Sequence, residues 1–244
     1  MTNVIDIDEK LVTWNDKGRK AEVLDRYYDS LGRETCNKIE SVALDGARTY
    51  ISSSQNKAIN AIIVLDRFHA AQKANKAADQ VRRDELLKAR KNKDEELVEL
   101  TNCKQRFILL KNKKKLTDRQ SVTLNRLCEI NQPIYRAMLL KESFLQTYEC
   151  ANIEEAQKHL YEWIDQALFS GLESFFDFAC SVLEKMQYIL NWFKKRISSA
   201  ISEGFNIKIK RLKRMAYGYK DIEYFKLKIH QHCGYLNPRR FHLI

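Results

Sequence analysis

Proline, glycine and long apolar runs are scarce in this chain of 244 residues, which contains two prolines and seven glycines. Because both residue types interrupt regular elements, their scarcity favours long helices. With 44% hydrophobic and 31% charged residues, the composition is typical of a helix-rich globular protein and excludes a fibrous or disordered chain. No stretch reaches about 18 uncharged apolar residues, and the first residues do not resemble a signal peptide. We therefore expect a soluble, cytoplasmic protein.

Several chemical signatures are also missing. The six cysteines lie far apart and form no C-x-x-C pair, which argues against a zinc ribbon or a disulfide scaffold. Scattered cysteines fit reduced thiols in a cytoplasm. The chain has no phosphate-binding P-loop, no dinucleotide-binding fingerprint and no nucleophile elbow. These absences exclude the enzyme classes that depend on such motifs.

Positive charge, by contrast, is in excess. The chain has 43 Lys and Arg residues against 32 Asp and Glu, a formal net charge of +11. Such an excess favours a polyanionic partner, with nucleic acid ahead of an anionic membrane. Charge alone does not decide the question, since many basic proteins never bind DNA.

Two short apolar runs each end on an aspartate. "SVALDG" (41–46) ends on Asp45 and "AIIVLDRFHA" (61–70) reaches Asp66, with a short helix predicted between them. Strand, helix and strand in this order predict parallel pairing, so both carboxylates would lie at the edge where open α/β sheets place their sites. Each aspartate could bind Mg²⁺ or could cap the helix that follows. For Asp66 we favour the cap, paired with His69 three residues later.

The remainder of the chain is predicted to be mostly helical. Two strand candidates, "NVIDID" and "KLVTW", precede an amphipathic helix over 19–32 that we expect to end at Gly32. One long polar helix is predicted over 68–100, followed by a basic loop at 111–115 and a helix capped by Thr117. A basic helix, a break at "YGY" and a last helix follow.

The basic segment "SSAISEGFNIKIKRLKR" (198–214) contains one acid, Glu203. On a helix, Glu203, Asn206 and Lys210 would form one stripe, and further cations would form the next. Such an arrangement suits metal-assisted chemistry beside a phosphate backbone, with the acid on Mg²⁺ and the cations on DNA. The alternative is a solvated basic helix with one ordinary acid, which spacing alone favours.

Four segments, taken in order, resemble the ISL3-type insertion-sequence transposases: "VALD", "AIIVLDRFHAAQKANKAADQVRR", "RFILLKNKKKLT" and "SEGFNIKIKRLKRMAYGYKDIEYFKLKI". The resemblance extends from about residue 4 to 229. Its final segment, E-G-x-N-x-K-I-K-x-x-K-R-x-A-Y-G-Y, is specific, and "LDRFH" supports it independently.

The resemblance implies an RNase H-like core whose sheet is interrupted, after its fifth strand, by a helical insertion. In this family three acids bind two divalent metals, Mg²⁺ or Mn²⁺, for strand cleavage and strand transfer. Residue by residue, it places the second acid on Asp45 and the third on Glu203. Asp66 and His69 match an Asp-x-x-His motif with a structural role.

The family pattern implies three regions in this chain. Residues 1–66 would form a partial core of strands two to five, residues 67–197 the all-helical insertion, and residues 198–244 the C-terminal core helices. The first strand, with its catalytic aspartate, is expected to be absent, which leaves an incomplete sheet with exposed strand edges. Asp6 or Asp8 could substitute only if the chain began on that first strand.

The expected function is that of a transposase fragment or degenerate copy, with little or no activity of its own, in a bacterial cytoplasm at the nucleoid. Its partners would be transposon-end and target DNA, with a second copy or a full-length transposase. The alternatives are an inert DNA-binding remnant that regulates a full-length copy, and a helical scaffold without a DNA role. The expected DNA contacts are Lys208, Lys210, Arg211, Lys213 and Arg214.

Overall fold

The computed structural model describes residues 1–102, 105–111, 116–197 and 200–236. Helices dominate these residues, and the strands form two small sheets, so the protein is a helix-rich α/β protein as its composition predicts. By contacts between residues the chain divides into two compact units. Unit 1 combines Met1–Phe68 with Lys195–Ile244, and unit 2 is the continuous segment His69–Lys194.

The elements of the first part are β1 (Thr2–Asp6), β2 (Leu11–Asp16), α1 (Ala21–Cys36), β3 (Ser41–Leu44), α2 (Arg48–Lys57) and β4 (Ile62–Leu65). The helices that follow are α3 (Arg67–Asn92), α4 (Glu95–Thr101), α5 (Arg106–Leu110), α6 (Asp118–Ile130), α7 (Gln132–Gln146), α8 (Ile153–Leu168) and α9 (Glu173–Leu190). Single turns of 3₁₀ helix follow α7 and α9, and the last elements are α10 (Ala200–Met215) and α11 (Ile222–Cys233).

The first sheet of unit 1 is the antiparallel hairpin β1–β2, and the two strand predictions are confirmed. Its turn lies at residues 7–10, where Asp6 Oδ1 accepts hydrogen bonds from the backbone N–H groups of Asp8 and Glu9, both at 2.9 Å. Lys10 completes the turn with a φ of 53°. A register shift between Val4 and Ile5 adds a bulge to the hairpin.

The second sheet pairs β3 with β4 in parallel, as the strand–helix–strand pattern predicts. The register joins Ser41 to Ile62 and Leu44 to Leu65. Three consecutive residues of β4, from Ile63 to Leu65, are buried, which explains why this strand is apolar on both faces. Helix α2 supplies the connection between the two strands.

Helix α1 is interrupted at Gly32, where the sequence predicts that the helix ends. Gly32 has φ 75° and ψ 159°, a conformation open to glycine, and a further helical turn continues to Cys36. Tyr28 and Cys36 are buried in a cluster with Leu24 and Ala58. The second turn is therefore held by burial of Cys36, a contact that the sequence pattern does not reveal.

A second cluster in unit 1 unites β2 with the two C-terminal helices. Its fully or nearly buried members are Val12, Ile209, Phe225, Ile229 and Cys233. Val12 also pairs with Gly234 through an isolated parallel bridge. A side chain at Gly234 would lie 2.8 Å from the Val12 carbonyl oxygen, so only glycine allows this approach. The hairpin thus packs directly against α10 and α11.

The core of unit 2 is an aromatic cluster at the centre of α7, α8 and α9. The ring centroid of Phe144 lies 4.9 Å from that of Trp163 and 4.9 Å from that of Phe178. Trp163 donates from Nε1 to the carbonyl oxygen of Leu140 at 2.7 Å, so its polar atom is satisfied inside the core. Hydrophobic contact and one hydrogen bond therefore join the three helices.

Helix starts in unit 2 follow capping chemistry. Thr117 and Gln120 form a complete capping box at the start of α6, which confirms the predicted cap. Asn131 and Asn152 accept hydrogen bonds from the third residue beyond them, at 2.9 Å and 2.8 Å, and so cap α7 and α8. Each helix begins where a side chain satisfies a backbone N–H group that has no helical partner.

The single helix predicted over 68–100 is wrong. Lys93 adopts a left-handed φ of 57°, and Asp94 then caps α4 by accepting from the Leu97 N–H group at 3.0 Å. A strong cap directly after the break makes two helices more stable than one.

A buried ionic cluster that the sequence analysis did not identify holds α3 to α4. Arg82, 3% exposed, donates to Asp79 at 2.9 Å and to the Thr101 carbonyl oxygen at 2.6 Å. The cluster therefore satisfies a buried charge pair while it ties the end of α4 to the middle of α3.

One prediction falls largely outside the described residues, namely the basic loop 111–115. No helix among those described has the length and apolar character needed to cross a bilayer.

Candidate functional site

Two aspartates directly follow the paired strands of the parallel sheet. Because Leu44 and Leu65 are register partners, Asp45 and Asp66 leave the sheet at the same edge. This is the edge at which parallel sheets present functional side chains. The two carboxylates nevertheless have different environments.

Asp45 is exposed and begins a tight turn into α2. Its Oδ1 accepts a hydrogen bond from the backbone N–H group of Ala47 at 3.0 Å, while Gly46 between them has a φ of 84°. The carboxylate is therefore fixed by one oxygen and faces solvent. An exposed carboxylate on a rigid strand end is the type of group that binds a divalent cation.

Asp66 is fully buried, and its backbone N–H group donates to the Leu44 carbonyl oxygen at 3.0 Å, which extends the strand ladder by one residue. Helix α3 begins at the next residue, Arg67. A buried carboxylate between a strand and a helix is typical of a structural role. The pairing of Asp66 with His69 stays a prediction.

Glu203 lies in the first turn of α10 and is half-buried. A carboxylate at this end of a helix is stabilised by the helix dipole. The inward face of α10 is apolar: Ile209 is buried, and Phe205 and Leu212 pack against the same cluster of β2 and α11. These positions, spaced by four and three residues, determine which side of α10 is exposed.

A polar contact also fixes α10 against the hairpin. Asn3 of β1 donates from Nδ2 to Asn206 Oδ1 at 3.2 Å. Asn206 is one turn beyond Glu203, so this hydrogen bond and the apolar cluster together position the helix that carries the acid. Residue spacing predicts that Asn206 shares a stripe with Glu203, but it does not reveal the contact with Asn3.

The five predicted DNA contacts lie on the exposed surface of α10. Lys208 is directed toward α11, where its ammonium donates to the His232 carbonyl oxygen at the end of that helix. Among the residues that the structure describes, Lys210, Arg211 and Arg214 make no side-chain hydrogen bond or ion pair. These three cations are thus available to an external anion, and Lys208 is partly committed to the fold.

An ionic network in unit 1 holds α11 to β2. Lys226 donates to Asp16 at 2.6 Å, and Arg26 also pairs with this carboxylate. The hydrogen bond from Lys226 holds the pKa of the Asp16 carboxyl well below its ordinary value and raises the pKa of Lys226. Both groups are therefore charged at neutral pH, and α11 is secured by charge and by apolar contact.

In the part of the chain that the structure describes, no three His, Cys, Asp or Glu side chains converge closely enough to hold a metal ion. What the site does display is one exposed acid at a strand end, one half-buried acid in a helix, and a row of free cations on that helix.

One exposed residue was missed by the sequence analysis, which treated "YGY" only as a break between helices. Tyr217 is fully exposed at the end of α10, with a φ of 50°. The signal that could have identified it is an aromatic residue next to glycine at the end of a basic helix.

Comparison with known proteins identifies the family of the chain. A family model described as a transposase matches residues 1–229. The transposase for insertion sequence element IS1001 of Bordetella parapertussis is 30% identical over 229 residues, which is 93% of this chain and 56% of that protein.

Transposases for insertion sequence element IS1557 from two Mycobacterium tuberculosis strains, CDC 1551 / Oshkosh and ATCC 25618 / H37Rv, are 28% identical over 240 residues. The alignment covers 90% of this chain and 53% of those proteins. The chain therefore spans about half the length of these curated relatives. No solved structure matches it significantly. The family match extends over nearly all of the sequence, and the chain belongs to the ISL3-type insertion-sequence transposases.

Proposed function

We propose that the protein serves DNA transposition by metal-dependent cleavage of phosphodiester bonds and strand transfer. The observation that carries the proposal is the construction of α10. Glu203 lies in its first turn, exposed cations follow on its outer surface, and its apolar face is packed against β2 and α11. One rigid helix thereby presents an acid and a phosphate-binding surface in a constant relation to each other.

The fold we propose for unit 1 is an RNase H-like core. Its parallel pair β3–β4 and the hairpin β1–β2 would be strands two to five, and the C-terminal helices would complete it. The sequence regions 1–66, 67–197 and 198–244 would be partial core, insertion and C-terminal core. Support comes from the discontinuity of unit 1, whose two segments enclose unit 2 in the sequence.

Members of this family use divalent metal ions, and the residues present are compatible with such ions. Asp45 keeps one carboxylate oxygen outside its turn with Ala47, and Glu203 is accessible from solvent. Carboxylate oxygens are the ligands that Mg²⁺ and Mn²⁺ prefer. We propose that Asp45 and Glu203 hold these ions, which when bound would stabilise the attacking and leaving oxygens of the displacement.

The cations of α10 would position the DNA rather than select its sequence. Lys210, Arg211, Lys213 and Arg214 are exposed along one helix, and Lys208 lies beside them against α11. Contacts of Lys and Arg with phosphate fix the register of a duplex without reading its bases. Asp66, paired with His69, would stabilise the start of α3 and take no part in the reaction.

A second function is an inert DNA-binding protein that regulates a full-length transposase. The cationic surface of α10 depends only on this helix and on the apolar residues that pack it against β2 and α11, and this observation favours the second function. Binding through this surface requires neither Asp45 nor Glu203. The two functions therefore share the DNA contacts and differ in their dependence on the two acids.

The experiment that separates them is a nicking and strand-transfer assay on the element's end sequence with Mg²⁺ or Mn²⁺. Turnover that is abolished by Glu203→Gln, and unaffected by Glu162→Gln on α8, is the result expected of the first function. DNA binding without turnover would favour the second. The affinity for Mn²⁺, measured by titration calorimetry, should be weaker in Glu203→Gln and Asp45→Asn than in the wild type. Equal Mn²⁺ affinity in both variants and the wild type would contradict the proposed ligands.

A further inference from the structure

Tyr217 occupies an unusual backbone position at the end of α10. Its φ of 50° is left-handed, which is costly for a residue other than glycine, and Gly218 follows with a φ of 106°. Two backbone hydrogen bonds stabilise the turn: Tyr217 N–H donates to the Arg214 carbonyl oxygen at 3.0 Å, and Gly218 N–H donates to that of Lys213 at 2.9 Å. The turn therefore closes on the helix and holds Tyr217 in a defined place.

The other side of this turn is anchored by a second aromatic residue. The ring of Tyr219 stacks on that of Phe225 with centroids 4.5 Å apart and an angle of 21°. Phe225 is itself buried in the cluster of β2, α10 and α11. Tyr219 is thus part of the fold, whereas Tyr217, two residues earlier, is completely exposed.

The surroundings of Tyr217 are predominantly cationic. Lys213 and Arg214 precede it on α10 and Lys220 follows it, all exposed. The nearest acid in sequence, Asp221, uses its carboxylate to cap α11 through the N–H groups of Glu223 and Tyr224. A flat aromatic ring with free faces and neighbouring cations is the combination with which proteins bind single-stranded nucleic acid.

We propose that Tyr217 is a stacking platform for an unpaired DNA base, next to the phosphates held by α10. This inference rests on the proposed function and names the form of DNA that the site takes. In a duplex each base is covered on both faces by its neighbours, so only an unpaired, terminal or extruded base offers a free face to the ring. Since every base has such a face, the contact carries no sequence preference.

The test compares single-stranded DNA with a blunt duplex of the same sequence, each containing 2-aminopurine at an internal position. Tyr217→Ala should weaken binding of the single strand by about 5- to 150-fold, the range that loss of one stacked base produces, and that of the duplex by less than about twofold. Quenching of 2-aminopurine by the wild type should be lost in the variant. Tyr217→Phe should keep the tight binding of the single strand and the quenching of 2-aminopurine. Tyr217→Leu should lose both, because leucine lacks a flat aromatic face.

The matched control is Tyr161→Ala on α8, which removes an exposed tyrosine from a depression that it shares with Glu154, Glu162 and Asp165. Acidic neighbours repel DNA, so this variant should bind like the wild type. Because Tyr217 is fully exposed, its variants should keep the wild-type circular dichroism spectrum.

Two outcomes overturn the inference, and they are distinguishable. If the wild type binds duplex DNA with steep salt dependence but Tyr217→Ala binds the single strand as tightly, the stacking role is wrong and the proposed function stands. If the wild type binds neither form of DNA, the proposed function is wrong and the stacking role fails with it.

Discussion

Removal of two cations from α10 should change the salt dependence of DNA binding by a calculable amount. Lys210 and Arg214 are exposed and make no side-chain hydrogen bond or ion pair among the described residues, so each is free to neutralise one phosphate. For duplex DNA the slope of log Kobs against log salt concentration is about −0.9 for each phosphate neutralised. The double variant Lys210→Ala/Arg214→Ala should therefore have a slope less steep by about 1.8.

The difference in slope also predicts how the affinities of the wild type and the double variant converge as the salt concentration rises. Between about 50 and 200 mM salt, the ratio of wild-type to variant affinity should fall by about tenfold, because fewer counterions are released by the variant. Fluorescence anisotropy of a labelled duplex over a salt series measures this ratio directly. Lys208→Ala should change the slope less than Lys210→Ala or Arg214→Ala alone, since the Lys208 ammonium is bound to the His232 carbonyl oxygen.

The control must remove the same charge from another place. Lys38 and Lys158 are each paired with a glutamate four residues away, and their side chains are 72% and 81% exposed. Lys38→Ala/Lys158→Ala should leave the slope unchanged. If this control changes the slope as much as the α10 variant does, net charge and not the α10 surface determines binding, and the reasoning is refuted. A wild-type slope in the double α10 variant would refute it equally.

Two predictions concern the packing that supports α10. Ile229→Ala should lower the free energy of unfolding by about 2–5 kcal/mol in urea titration, because Ile229 is fully buried in the cluster of β2, α10 and α11. The control Leu227→Ala, at a residue 46% exposed, should cost less than about 1 kcal/mol. Equal losses in the two variants would contradict the assignment of the core. Asp16→Asn should destabilise by about 1–3 kcal/mol at pH 7, because it removes a charged hydrogen bond to Lys226. Since the folded state holds the pKa of Asp16 below its ordinary value of 3.8, this contribution is present above that pH and is lost below it. Thermal unfolding should show the difference between Asp16→Asn and the wild type shrinking below about pH 4, and a constant difference would show that the pair is not the source.

Much of unit 1 could be predicted from sequence because its signals are local. The strands that end at Leu44 and Leu65 are short apolar runs, and the helix between them leaves only a parallel connection. In unit 2, the start of α6 is equally local, because Thr117 and Gln120 form a capping box that is visible within four residues of sequence. Where propensity, pattern and cap agree, the structure follows the prediction.

Two details of the helices could not be read from hydrophobic periodicity: the turn after Gly32 and the break at Lys93. Gly32 interrupts α1 as its sequence context predicts, but the further turn beyond it, in which Cys36 is buried against Leu24 and Ala58, depends on contacts distant in sequence. The break at Lys93 lies in a stretch of good helix formers, and only the cap by Asp94 makes the interruption favourable. Periodicity in the sequence contains neither type of information.

In the candidate site, too, the features set by residue spacing could be predicted and those set by packing could not. Residue spacing predicted that Glu203 and the cations lie on one helix, and the structure contains this helix. The prediction was possible because the face on which a helical residue lies depends only on its position in the sequence. Spacing did not reveal that Lys208 is bound to the end of α11 or that Tyr217 is left exposed. Both depend on how α10 and α11 pack, and this is a property of the three-dimensional fold.

The discontinuity of unit 1 has a consequence for synthesis. Val12 and Ile229 belong to one buried cluster, yet all of unit 2 leaves the ribosome between them. At ordinary elongation rates, roughly 10–40 s pass between synthesis of the hairpin β1–β2 and synthesis of the helices that cover it. Unit 2 is continuous and can fold during that interval. Conditions that slow translation within residues 69–194 should therefore prolong the time in which the apolar surface of β2 is open to aggregation or to a chaperone.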